Sequence, residues 1–270
     1  MINFEVYSRF HLREIESDLT PKGINYHHTL TCLVGHINKS IQNPISAAIK
    51  KLGPILGEIY ALYTDYNHRF YNSFGYYPNG RFPENFAVNR KTGYSIVKQL
   101  YRENIFLNTK MEQSRKLIPP ETGWLTTQNI IRNLNDMLKI RIIFLFSESL
   151  KEFGDEIECA FKPLLSKKND TKEDGPHHSR YLYFRIPTGC DEVGFEIELI
   201  NSIQYSWRMI RAGLMGKYKV GENVQIDQYF SQWRQHIGGN INMVNEQIKT
   251  IIKFMEMLEK DDNKYKKKNI

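Results

Sequence analysis

Residues 181–199 read Tyr-Leu-Tyr-Phe-Arg-Ile-Pro-Thr-Gly-Cys-Asp-Glu-Val-Gly-Phe-Glu-Ile-Glu-Leu. Leu182, Phe184 and Ile186 alternate with Tyr181, Tyr183 and Arg185; Phe195, Ile197 and Leu199 alternate with Glu196 and Glu198. A period of two marks a half-buried strand. The turn residues between the two runs, Pro187 to Glu192, make the stretch a predicted β-hairpin. Glu196 and Glu198 then project from one face of their strand, with the apolar residues buried opposite. Two readings follow. The pair forms a solvated outer face, or it belongs to a metal or acid/base site completed by a carboxylate from another strand. Asp136 is the candidate for that third group, because it stands just ahead of the apolar run 140–146, which predicts a strand covered on both faces. Carboxylates on neighbouring strands can share one Mg²⁺.

Outward from the hairpin the pattern turns helical. Residues 24–42 predict a helix interrupted by Asn43-Pro44, and a short helix from Ile45 ends at Gly53-Pro54. Ile55, Ile59, Leu62, Tyr63, Tyr66 and Phe70 then carry helical spacing to about Phe74. A loop around Pro78-Asn79-Gly80 precedes a helix over 94–103, opened by Thr92-Gly93. Residues 104–124 read as irregular, and Thr126 or Thr127 caps a helix reaching Leu134. Residues 147–159 predict a helix with an acidic face, 166–178 a charged loop, and 202–214 and 240–258 closing helices. The sum is an α+β fold, a small sheet with helices before and after it. The organisation expected is a helical N-terminal arm over 1–85, a core over 86–220, and C-terminal helices with a basic tail over 221–270.

The chain has 270 residues, 41% of them hydrophobic and 25% charged, with a net charge of +7. That length buries a substantial core. Three cysteines, Cys32, Cys159 and Cys190, are too few and scattered for a disulfide scaffold and suit a reducing cytoplasm. No apolar run approaches the roughly 18 residues of a membrane span, and the first 18 residues are too polar for a signal peptide. Charge is unevenly spread. Residues 1–150 carry 18 basic and 12 acidic side chains, 151–200 carry 7 and 11, and 201–270 carry 12 and 7. An acidic stretch inside a basic chain is the pattern a magnesium–nucleotide site needs.

Four segments, in order, resemble the synthetase domain of RelA/SpoT-type alarmone synthetases. Arg90-Lys91-Thr-Gly-Tyr94-Ser95-Ile-Val-Lys98 is similar to that family's basic Lys-x-x-x-Ser opening. Asp136-Met-Leu-Lys-Ile-Arg141, leading into the apolar run, resembles its Asp followed by an Ile-Arg strand. Sixty residues on, Glu196-Ile-Glu198-Leu resembles its Glu-Ile-Gln-Ile strand, and Trp207 with Tyr218-Lys219 resembles its next helix. The resemblance covers about residues 86–220. It implies a nucleotidyltransferase-like small mixed sheet flanked by helices, of the small or toxic small alarmone synthetase kind.

The resemblance also implies a reaction, transfer of the β,γ-pyrophosphate of ATP to the 3′-hydroxyl of GDP or GTP, giving guanosine tetra- or pentaphosphate. Such chemistry needs cations around a triphosphate, a metal and a base near the acceptor hydroxyl. By the resemblance Arg90, Lys91, Ser95 and Lys98 bind ATP, and Arg141 either contacts ATP or makes a structural ion pair. Asp136 and Glu196 are catalytic and hold Mg²⁺. On the acceptor side stand Glu198 and one of His177, His178 or Tyr181, any of which would replace the family's stacking Tyr as a plane for the acceptor base. The chain departs from the family at Glu198, which replaces Gln, at Ile200-Asn201, which replaces Arg-Thr, and at Pro176, which stands where a Tyr stacks on guanine. Residues 104–130 form an insertion in which Lys110 and Ser114 repeat the Lys-x-x-x-Ser spacing. The altered loop and the basic arms favour an alternative acceptor, the 3′ end of tRNA, as in toxic members of the family. An alternative of another class is an inactive nucleic-acid-binding or interaction protein. A protein antitoxin or a second copy of the chain completes the partners considered; no membrane is expected.

Other constellations carry less. His28, Cys32 and His36 share a helical face, but span more than two turns, too far for one ion to meet all three. Tyr60, Tyr63 and Tyr66 suit a core, and Trp233-Arg234-Gln-His236 suits packing as well as RNA contact. The His-Asp doublet by which bifunctional relatives degrade the alarmone is absent from the sequence.

Overall fold

The computed structural model describes residues 4–16, 29–75, 77–78, 87–108, 119–121, 123–145, 147–167, 171–172, 179–189, 191–202 and 204–206, with scattered residues between 209 and 257. His28, Lys110, Ser114, Pro176, His177, His178, Cys190, Trp207, Tyr218, Lys219, Trp233 and the basic tail lie outside them, as does most of the two closing helices.

The described α-helices are α1 (Phe4–Phe10), α2 (Thr29–Phe74), α3 (Gly93–Tyr101), α4 (Ile130–Asn133) and α5 (Ser147–Ala160); α1 continues into a π-helix over His11–Ile15, and α3 into one over Arg102–Phe106, past the point where the sequence reads as irregular. The strands are β1 (Asn89–Arg90), β2 (Leu138–Phe144), β3 (Leu165–Lys167), β4 (Thr171–Lys172), β5 (Ser179–Pro187) and β6 (Glu192–Asn201). They form one mixed sheet in the order β1-β2-β6-β5-β3, with β4 paired to β5. β1 and β2 are antiparallel, Asn89 opposite Lys139. The architecture is the α+β one the sequence predicts, and the hairpin is present as read.

Four local expectations are corrected. Asn43-Pro44 and Gly53-Pro54 do not break the chain: α2 is a single helix of 46 residues with both prolines inside. An internal proline costs about 3 kcal/mol. Leu33, Ile37, Ile41, Ile45, Ala48 and Leu52 bury completely along one stripe, and each large one contributes roughly 1.5–3 kcal/mol, so burial outweighs the lost hydrogen bonds. β2 starts two residues earlier than predicted and alternates instead of burying both faces: Leu138, Ile140, Ile142 and Phe144 are buried, Lys139, Arg141 and Ile143 half-buried. The helix expected from Thr126 to Leu134 is regular only over the four residues of α4, but its start is capped at Thr126 as expected: Thr126 and Asn129 exchange hydrogen bonds of 2.8 and 3.3 Å, and the Ile130 amide donates to the Thr126 carbonyl at 3.0 Å. Two short strands, β3 and β4, also occupy part of the expected charged loop.

Contacts divide the chain into two compact units: Met1–Pro54, Val88–Lys139 and Tyr183–Glu196 in one, Ile55–Ala87, Ile140–Leu182 and Ile197–Ile270 in the other. In the first, Tyr7 of α1 meets Tyr101 of α3 edge-on at 5.2 Å. A buried polar chain runs on from it. The Tyr7 hydroxyl lies 3.1 Å from His11 Nδ1, His11 Nε2 lies 3.1 Å from Glu16, and Glu16 accepts from the Thr127 amide and hydroxyl. Asn104 ties Tyr7 to the backbone of Leu125. Burial pushes the Tyr7 phenol up. Burial also opposes ionisation of Glu16, but its His11 and Thr127 partners outweigh that and hold the carboxyl below its ordinary value.

The second unit has an aromatic core, Tyr63 and Tyr66 of α2 packing with Phe144 and Phe153 at 5.5–6.1 Å. Burial raises both phenols, whereas Tyr60 is exposed. Arg180 of β5 is buried against α5. Its guanidinium donates to the Lys151 carbonyl, Asp155 and Glu158 at 2.6–2.8 Å, and fits because residue 154 is glycine; a Cβ there would stand 2.6 Å from Arg180 Cδ.

Candidate active site

The first unit holds two ion pairs, Lys91 with Asp136 and Lys139 with Glu196. β1 ends at Arg90, and the Lys91 amide still donates to the Met137 carbonyl at 3.0 Å, so Lys91 continues the ladder beside β2. Its ammonium lies 2.7 and 2.6 Å from the two oxygens of Asp136. The Lys91 side chain is 12% exposed and that of Asp136 39%, so the carboxylate keeps a side open to a ligand. Two close approaches hold Asp136 in place. Gly194 of β6 lies under Leu134 and Asn135, where a Cβ would stand 2.6 Å from Asn135 Cα. Arg185 of β5 donates to Asn135 Oδ1 at 2.6 Å, and burial lowers its pKa.

Glu196 sits in an ion pair with Lys139, N to O 2.6 Å. Alternation along β1 and β2 puts Lys91 and Lys139 on one sheet face, and the ion pair brings Glu196 to that face. Neither glutamate forms the solvated outer face that was one expectation: Glu196 is 6% exposed and Glu198 fully buried. The repulsion between such carboxylates is offset by cations from the neighbouring strand, Lys139 for Glu196 and, in the second unit, Arg141 for Glu198 at 2.7 Å. The offset is the same for both pairs, as for parallel neighbours. Arg141 also lies over the Tyr205 ring at 5.2 Å.

α3 begins at the end of β1. Thr92 is its cap and accepts the Ser95 amide at 3.2 Å, so that amide is engaged within the turn and Ser95 lies inside the helix. Gly93 is required by close approach, since a Cβ would meet Asn38 Oδ1 at 2.8 Å and Val34 Cγ1 at 3.0 Å. Beside this contact opens a cleft of about 760 Å³, whose lining includes Asn38, Lys39 and Gln42 of α2 with Arg90, Lys91 and Tyr94. Three cations therefore meet at one cleft by the start of a helix, a setting that attracts polyphosphate.

Of the residues singled out in the sequence, Lys91 and Asp136 are brought together and Arg90 lines the cleft with Lys91. Ser95 and Lys98 are exposed on α3, Lys98 over the Tyr94 ring at 4.8 Å. Arg141, Glu198 and Tyr181 belong to the second unit. Sequence reading missed Lys39, hidden in a helix with no motif, although Asn38 and Gln42 one turn apart signal a polar edge beside the buried stripe. It also missed Lys139, whose partner is 57 positions away. Among the described residues no three His, Cys, Asp or Glu side chains cluster as a metal site, and no helix is long and apolar enough to cross a membrane.

No family model and no curated protein matches the chain. Solved structures do. Small alarmone synthetase 2 from Bacillus subtilis superposes with a TM-score of 0.53 at 15% identity, over 78% of this chain and 98% of that one. A GTP pyrophosphokinase family protein from Streptococcus pneumoniae gives 0.46 at 15% identity, over 77% and 93%. Small alarmone synthetase 1 from Bacillus subtilis, bound to its product pppGpp, gives 0.46 at 16% identity, over 74% and 93%. With its mixed sheet flanked by helices, this chain has the fold of small alarmone synthetase 2.

Proposed function

We propose that the chain is a pyrophosphokinase that moves the β,γ-pyrophosphate of ATP to the 3′-hydroxyl of GDP or GTP in the cytoplasm. The observation that carries the reading is Lys91, which pairs with Asp136 and lines a cleft together with two further cations, Lys39 and Arg90, in a chain with the fold of a small alarmone synthetase. The acceptor oxygen attacks the β-phosphorus, the bridge to the α-phosphorus breaks and AMP leaves. Lys91 and Arg90 hold the triphosphate and the charge that grows on it. Glu196, held in place by Lys139, takes the hydroxyl proton. A carboxylate together with phosphate oxygens is a donor set magnesium accepts, so Asp136 would hold the ion, which would neutralise charge on the transferred group. Asp136 meets that need by its open side, and Lys91 then turns from the carboxylate to phosphate.

A second acceptor, the tRNA 3′ end, is favoured by Pro176 in the guanine-loop position and by the basic first 150 residues. Incubation with ATP labelled in the γ-phosphate separates the two. Label in guanosine tetra- or pentaphosphate supports the first and label in tRNA the second. Label in neither acceptor, or transfer that survives Asp136→Ala unchanged, overturns both.

A further inference from the structure

The cleft holds one exposed aromatic side chain beside its cations. Tyr94 lies in the first turn of α3 and is 44% exposed. The helix buries Ile96, Val97 and Leu100 on its other side, so its own period leaves Tyr94 at the cleft wall. Lys98, one turn on, sets its ammonium 4.8 Å from the ring centroid. This cation–π contact covers one face of the ring and fixes its orientation, so a base would stack on the opposite face; it also employs a lysine otherwise assigned to phosphate. Lys39 approaches the same cleft from α2, opposite Arg90 and Lys91 in sequence but beside them in space. A flat π surface next to converging cations is the chemistry that takes a nucleotide: the base stacks on the ring and the phosphates meet the charges.

We propose that Tyr94 is the platform on which the base of the nucleoside triphosphate stacks, and that Lys39 is one of its phosphate contacts. Lys98 then serves the ring. The inference rests on the pyrophosphokinase reading and adds which residues take the base and which the chain of phosphates.

The test is calorimetric titration of the full chain with two probes, ATP and inorganic triphosphate, which lacks a base. Tyr94→Ala and Tyr94→Leu weaken ATP binding roughly five- to a hundredfold and leave triphosphate binding unchanged, while Tyr94→Phe binds both as the wild type does. Lys39→Ala weakens both probes by the same factor and flattens the salt dependence of each. Thermal melts confirm that each variant is folded; Tyr94→Leu, which keeps apolar bulk, and Tyr94→Phe cover a failure of Tyr94→Ala. ATP binding that is indifferent to Tyr94→Leu, or triphosphate binding that falls with it, overturns the platform while the transfer reaction stands. A wild-type chain that binds neither probe overturns the pyrophosphokinase reading and this inference with it.

Discussion

Lys91 closes on both carboxylate oxygens of Asp136, at 2.7 and 2.6 Å, across 45 positions of sequence. The pair satisfies itself without a ligand, and each member is also what a polyphosphate–metal complex needs. Removing either therefore costs function more than fold. Lys91→Ala and Asp136→Ala are expected to reduce pyrophosphate transfer by about 10²–10³-fold, the usual loss of one charged transition-state contact, with melting temperatures close to wild type. Label transfer and a thermal melt on the same samples check both halves.

Arg141 and Glu198 should behave in the opposite way. Glu198 is fully buried and its partner one-third exposed. Arg141→Ala strips a buried carboxylate of its guanidinium and is expected to destabilise the chain by about 3–5 kcal/mol, read from urea unfolding. The double variant Arg141→Met with Glu198→Leu should recover most of that loss, because it removes the buried charge itself.

Glu16 gives a pH dependence. Its folded pKa lies below the ordinary 4.5, so it stabilises the fold above the unfolded value and loses that contribution as pH falls through the folded one. The melting temperature of the wild type is expected to fall more steeply below pH 4.5 than that of Glu16→Gln. Melts at half-unit intervals from pH 3 to 7 compare the two, and parallel curves would show that the His11 and Thr127 contacts do not depend on charge.

Gly194→Ala places a methyl against the backbone of Leu134 and Asn135, where nothing can rotate away. Overpacking of this kind costs about 1–3 kcal/mol, and the displaced segment carries Asp136. Stability and turnover should therefore fall together, in contrast to Asp136→Ala.

The hairpin was legible because its information is local: Leu182, Phe184 and Ile186 alternate within a few residues, and the turn residues stand between the runs. Asp136 was reached from its place ahead of the apolar run and Lys91 through the resemblance; that the two meet in an ion pair was legible in neither. The course of α2 was not legible. Proline is a strong local signal, and only the fully buried stripe from Leu33 to Leu52, a property of tertiary packing, overrides it. The fate of Glu196 and Glu198 was hidden for a related reason. A strand pattern tells which residues share a face, but the lysine and arginine that meet them come from a neighbour fixed by sheet order. Lys39 carried no motif, only the weak polar edge of Asn38 and Gln42, and its place at the cleft follows from the approach of α2 to Gly93.

Arg180 reaches three acceptors on α5 with one planar fork, a geometry a lysine cannot reproduce. It rivets the start of β5 to a helix that ends nineteen positions earlier in the chain. The covalent link between them is thereby relieved of its mechanical duty: cutting or lengthening the peptide somewhere in 173–178 should leave helix and strand moving as one plate.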